Sequence, residues 1–223
     1  MEQISQNRIL SLNQVSIPTQ TTYETLETLE ENAESRKESL RKSLNLTSWD
    51  NTFANFRPMK GTEASLRAFK EMAAGATWHM LLNYGSTGCG KTHLCEALSI
   101  ELVKRTIRAA VLEWPSVMRM FKSSFSSEYK GNYDILFKRY CESPWLILDD
   151  VGMGGVWSTW ECGEFDEIIN ARYRAGLPTV VTTNLDITKI PDRAVSRFRD
   201  ALKGRCVLNE GIDYRPRRVP IKD

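Results

Sequence analysis

An α/β fold, with a parallel sheet flanked by helices and a short helical arm ahead of it, follows from three features of the sequence. Apolar runs of strand length alternate with helical stretches, the pattern that buries a parallel sheet under its crossover helices. The run HMLLNY at 79–84 turns through GSTGCGKT and continues as a helical pattern over 91–104. The run WLILDD at 145–150 is continuously apolar and ends in two acids. That suits a central parallel strand whose carboxyl end faces a ligand.

GSTGCGKT is GxxxxGK[ST] in the context it requires, with a strand before and a helix after. Its glycines let successive backbone N–H groups curl round a phosphate, and the helix N-terminus adds its positive end. Gly85, Ser86, Thr87, Gly88, Cys89, Gly90, Lys91 and Thr92 are therefore the candidate nucleotide-binding residues. Lys91 supplies a point charge for the β- and γ-phosphates, and the Thr92 hydroxyl is a ligand for Mg²⁺. A chance match in a glycine-rich turn would lack the strand and the helix. The expected ligand is a nucleoside triphosphate. Cys89 lies inside the loop, so either it is alkylated with loss of ATP binding, or it is a buried, inert thiol.

Composition bounds the rest. A chain of 223 residues holds one substantial domain and a short appendage. Hydrophobic content of 41% and charged content of 26% are ordinary for a globular protein. A net charge of +2 neither requires nor excludes nucleic acid, so any basic surface is local. No apolar run has membrane-span length, and MEQISQNRIL lacks a signal-peptide core, so no membrane role is expected. The five cysteines are scattered and without CxxC spacing, which argues against disulfides or zinc and for a cytoplasmic setting.

In chain order, residues 1–20 carry no sustained period. A helix is expected from Thr21, with Glu24 completing a capping box. Acids (Glu24, Glu27, Glu30, Glu31, Glu34) precede bases (Arg36, Lys37, Arg41, Lys42), an order that suits the helix dipole. Its thin stripe of Leu26, Leu29, Ala33, Leu40 and Leu44 fits either a solvated helix or one covered by a partner. Residues 1–47 are read as this arm and 48–223 as the core. A linker with Trp49, Phe53 and Phe56 leads to a helix over 61–74, with Leu66, Phe69 and Met72 on one face. After the phosphate-loop unit, AAVLEW at 109–114 is a strand closed by Pro115, and 116–125 is a helix. That helix sets Val117, Met118 and Phe121 on one side, with Arg119 and Lys122 on another. A Ser-rich, basic stretch at 126–131 and a helix over 134–140 precede the third strand. Then come a helix over 161–174, the strand TVVTTN at 179–184, a helical stretch over 192–201, a short strand at 206–208 and a basic tail.

Asp149 ends its strand where an acid holds Mg²⁺, and Asp150 beside it is placed to polarise the attacking water. Asn184 ends the next strand, where an amide reaches both γ-phosphate and water. The order GSTGCGKT, LILDDVG, PTVVTTN, DRAVSRFRD, GIDYR resembles the AAA+ ATPases of the DnaC/DnaI helicase-loader and IstB group, over about residues 48–218. The resemblance implies an AAA+ P-loop NTPase using ATP and Mg²⁺. It makes Lys91 and Thr92 Walker A, Asp149 and Asp150 Walker B, and Asn184 sensor 1. Arg197 matches the arginine finger, with Arg193 and Arg199 as close rivals, and Arg215 matches the sensor 2 arginine. TFANFRP resembles the lead-in to the core that lies near the adenine, which nominates Phe53.

Two departures stand out. Many AAA+ proteins have Asp-Glu where this chain has Asp149-Asp150, and the shorter side chain implies slow or stimulated turnover. No cysteine cluster precedes the core, so the arm resembles that of DnaC rather than DnaI, as suits a phage or plasmid loader. The resemblance also implies self-assembly into a ring or helix, and single-stranded DNA binding by Arg119, Lys122 and Lys130. Phe121, Phe125 and Tyr129 interleave with these cations, as single strands require, although core packing and a solvated face fit equally. The expected activity is ATP-dependent loading of a replicative DNA helicase, docked through the arm, onto single-stranded DNA. A transposition helper of the IstB type and an ATP-binding switch with little hydrolysis are the alternatives.

Overall fold

The computed structural model describes residues 26–125, 132–152 and 157–215. Five parallel strands form one sheet in the order β2-β3-β4-β1-β5. They are β1 (Met80–Gly85), β2 (Val111–Glu113), β3 (Leu146–Asp149), β4 (Thr179–Thr183) and β5 (Gly204–Asn209). The helices are α1 (Leu26–Ser43), α2 (Glu63–Ala74), α3 (Lys91–Lys104), α4 (Trp114–Ser124), α5 (Asn132–Glu142), α6 (Thr159–Ala175) and α7 (Asp192–Phe198).

Strand side chains alternate between two cores, as the pleat requires. Leu81, Ile147 and Val180 pack with α2 and α3 on one face. Met80, Leu82, Leu146, Leu148 and Val181 pack with α4, α6 and α7 on the other. Both faces are covered, which is why the strands read as unbroken apolar runs. The register sets Asn83 beside Thr182 and Leu148 beside Val181, so the carboxyl ends of β1, β4 and β3 lie side by side. Arg172, fully buried, fastens the opposite end of the sheet: it donates to Tyr140 O, Ser143 O and Pro178 O, each at 2.8 Å. Its burial lowers its pKa to about 10.

Several boundaries differ from expectation. The helix start at Thr21 lies outside the described residues, as do Tyr129, Lys130 and the tail from 216. The chain divides into units of 1–37 and 38–223. Leu44 and Leu46 are buried in the core of the second unit, and Arg41 donates to Leu46 O at 2.7 Å, so these residues belong with that unit. The α6 helix starts earlier than expected because Ser158 and Glu161 cap it reciprocally.

The lead-in segment is anchored to α3 through Glu96, which is 1% exposed. Its carboxylate accepts from Thr47 N (3.1 Å), Thr47 Oγ1 (2.8 Å) and Asn51 Nδ2 (2.8 Å). Glu96→Ala leaves those donors unpaired and is expected to cost about 3 kcal/mol. For a chain of this size that is roughly 6–12 °C in melting temperature. A shift below about 2 °C in thermal unfolding would show that water replaces the carboxylate.

Candidate nucleotide-binding site

The phosphate loop spans the end of β1 and the start of α3. Gly88 and Gly90 adopt φ of 75° and 87°, which side chains rarely tolerate. Space forbids a side chain as well. A Cβ on Gly90 would lie 2.6 Å from Phe56 Cε2, and one on Gly88 would overlap the Asp213 carboxylate. The GIDYR segment lies against the loop: Ser86 Oγ donates to Gly211 O (2.7 Å), and Tyr214 N donates to Gly88 O (3.0 Å). Lys91 is 7% exposed and folds back on the loop, donating to Gly85 O (2.9 Å) and Ser86 O (2.6 Å). The Cys89 thiol is buried and donates to Ser86 O at 2.9 Å.

Asp149, 4% exposed, joins the loop helix to two strands. Thr92 Oγ1 donates to its Oδ2 at 2.7 Å, and Thr182 Oγ1 donates to its Oδ1. Burial, then the charge of Asp149, holds the neighbouring Cys95 thiol protonated well above its usual range. A hydroxyl beside a buried carboxylate fits Mg²⁺, which takes oxygen ligands from one or two carboxylates and fills its sphere with phosphates and water. Thr92 and Asp149 would hold the ion, which neutralises phosphate charge when bound. No cluster of three or more His, Cys, Asp or Glu capable of holding a metal occurs among the described residues. An ion shared with the nucleotide needs none.

Asp150 sits at φ 56°, a left-handed conformation unusual for a non-glycine residue. Two contacts hold it there: its N–H donates to Thr182 Oγ1 (3.2 Å), and Asn184 Nδ2 donates to its Oδ1 (2.6 Å). Burial, followed by the Asp149 charge, raises its pKa, while Lys91 and Arg215 act in the opposite sense. Lys91, Thr92, Asp149, Asp150 and Asn184 thus meet at one sheet edge.

A family model described as IstB-like ATP binding protein matches residues 14–203. The chain belongs to this family. The IstB-like chain is also 28% identical over 184 residues to the chromosomal replication initiator DnaA of Porphyromonas gingivalis, covering 75% of this chain and 36% of that protein. It spans about a third of the length of such relatives. Among solved structures, a replication initiator DnaA bound to AMPPCP and single-stranded DNA matches with TM-score 0.61 and 25% identity, over 73% of this chain and 50% of that one. The DnaC helicase loader matches with TM-score 0.60 and 20% identity, over 73% of this chain and 98% of that one. The fold is that of an AAA+ P-loop NTPase, and the family is the IstB-like one.

Other nominated residues of this IstB-like protein fall elsewhere. Arg197 lines a polar depression of about 610 Å³ with Tyr173, Asp192, Ser196, Arg199 and Asp200, and no phosphate-loop residue lines it. Phe53 packs on the core, and the ring that meets the loop is Phe56, against Gly90 and 5.2 Å from the His93 ring. Phe121 is fully buried, whereas Phe125, just after the helix that carries the exposed Arg119 and Lys122, is 57% exposed. Lys122 is paired with Glu161 at 3.3 Å, and Arg119 donates to Ser116 Oγ at 2.8 Å. Thr182 and Asp213 are not evident in the sequence, since a strand threonine and a loop aspartate carry no motif of their own.

The raised pKa of Asp150 has a thermodynamic sign. An acid with a higher pKa folded than unfolded binds more protons in the folded state, so stability falls as pH rises through that range. Asp150→Asn is therefore expected to melt higher than the wild type at about pH 8, with the gain shrinking toward about pH 4. Thermal unfolding across this range checks it, and a gain that does not vary with pH counts against the charge explanation.

Proposed function

We propose that this IstB-like protein is a self-assembling, cytoplasmic ATPase that helps place a replicative DNA helicase on single-stranded DNA. The observation that carries the ATPase is the convergence of Lys91, Thr92, Asp149, Asp150 and Asn184 at one sheet edge. In this reading Lys91 neutralises the β- and γ-phosphates, and Thr92 and Asp149 hold Mg²⁺. Asp150, oriented by Asn184, polarises the attacking water, and Arg215 contributes charge from the same chain. Arg197, which lines a depression that no loop residue borders, enters the site of a neighbouring subunit in this reading, where it stabilises charge on the transferring phosphoryl. Asp150 is one methylene shorter than glutamate, so turnover is slow and the protein acts as a switch. The likeness to the DnaC helicase loader over 98% of that chain supports the loading role, and the arm ahead of the core supplies the helicase dock.

A second reading, an ATPase that assists a transposase, is favoured by the family model itself. Affinity purification of the tagged full chain from its source cells, followed by a transfer assay on single-stranded circles, separates the two. Helicase recovery with ATP-dependent transfer supports loading. Recovery of a transposase, with no helicase transfer, supports the second reading.

The exposed face of α4 and the residue that follows it are assigned to single-stranded DNA, with Arg119 and Lys122 on phosphates and Phe125 beneath a base. Lys122 is shared with Glu161, so DNA must outcompete that surface pair, which is worth little. Arg119→Ala with Lys122→Ala is expected to flatten the salt dependence of binding by about 0.7 in slope for each phosphate no longer neutralised. An unchanged slope in fluorescence anisotropy titrations would move the DNA site elsewhere.

A further inference from the structure

Arginine carries about 2 kcal/mol of rotamer entropy, which it loses when fixed on a target unless the fold has already held it. Arg197 is held. Its guanidinium lies 5.0 Å from the ring centroid of Tyr173, within cation–π range. Among the described residues neither of its rivals, Arg193 or Arg199, makes such a contact. The ring is itself fixed. The Tyr173 hydroxyl donates to Asp200 Oδ2 at 2.5 Å, and the Lys203 ammonium lies 4.5 Å from the same centroid. Asp200 accepts further from Leu202 N (2.9 Å) and Lys203 N (3.3 Å), which locks the turn between α7 and β5. Arg197 and Tyr173 both border the polar depression, so the held guanidinium is presented to an open, polar surface.

We propose that Tyr173 is the positioning residue for Arg197, its ring holding the guanidinium ready to meet the terminal phosphate in a neighbouring subunit. This rests on the reading that Arg197 acts between subunits. A long side chain on α7 is thereby aimed by a residue of α6, and the tyrosine hydroxyl sets the ring angle through Asp200. The ring matters more than the hydroxyl, because the ring face makes the contact.

Mixed-subunit ATPase assays test this with Tyr173→Leu, Tyr173→Phe, Arg197→Ala and Lys91→Ala, in mixtures that light scattering shows to co-assemble. Lys91→Ala with Arg197→Ala must first recover activity, since some interfaces then contain both an intact loop and an intact arginine. Without recovery, Arg197 does not act between subunits and the proposal falls with that reading. Given recovery, Tyr173→Leu is expected to lose roughly three- to thirtyfold in hydrolysis, the range of a cation–π contact, while binding ATP within about twofold of wild type. It should be rescued by Lys91→Ala, which lends an intact arginine, and not by Arg197→Ala, which needs one. Tyr173→Phe should stay within about twofold of wild type, because the ring remains. Rescue by both partners, rescue by neither, or equal damage from Phe and Leu would each overturn the positioning role. A merely structural defect would not sort by partner.

Discussion

The carboxylate of Asp149 is the junction on which the site depends. It is almost wholly buried, and a buried carboxylate is tolerated only where donors surround it. Those donors come from different elements: Thr92 at the start of α3 and Thr182 within β4. One side chain thereby ties the phosphate-loop helix to two strands. Because β4 lies between β1 and β3, the loop, the paired acids and Asn184 share one edge. Sheet order does the positioning, and the hydrogen bonds fix the last ångströms.

Around this junction the molecule separates elements that serve its own nucleotide from elements that face outward. The loop is enclosed by residues distant in sequence: Phe56 against Gly90, and Asp213 and Tyr214 against Gly88. Behind it, α3 is joined to the lead-in segment by Glu96 and by His93, whose ring nitrogen lies 2.8 Å from Thr52 O. On the outer side, α7 turns Arg197 toward a depression that no loop residue lines. Asp150 stands between these two sets, strained in backbone and raised in pKa, as expected of a group whose chemistry the fold constrains.

Much of this was legible in the sequence, for physical reasons. Strands buried on both faces must be apolar throughout, so HMLLNY, WLILDD and TVVTTN declared themselves, and the glycine spacing of the loop follows from its backbone geometry. Contacts made by residues without periodicity or motif were not legible. Glu96 reads as one acid on a helix, and nothing local reveals that it faces Thr47 and Asn51. Phe53 and Phe56 are equivalent by composition, and only tertiary packing selects Phe56 for the loop. Tyr173 reads as one more helical aromatic, because its relation to Arg197 depends on how α6 and α7 pack. The Ser158–Glu161 box was readable from its spacing, yet the apolar pattern suggests a later start.

Binding of a nucleoside triphosphate at this sheet edge through Lys91 is the central claim. Calorimetric titration of ATP, with Mg²⁺, into wild type and folded Lys91→Ala addresses it most directly. The expected result is an affinity at least tenfold weaker in the variant, about 1.4 kcal/mol. Equal affinity in the two proteins would contradict it.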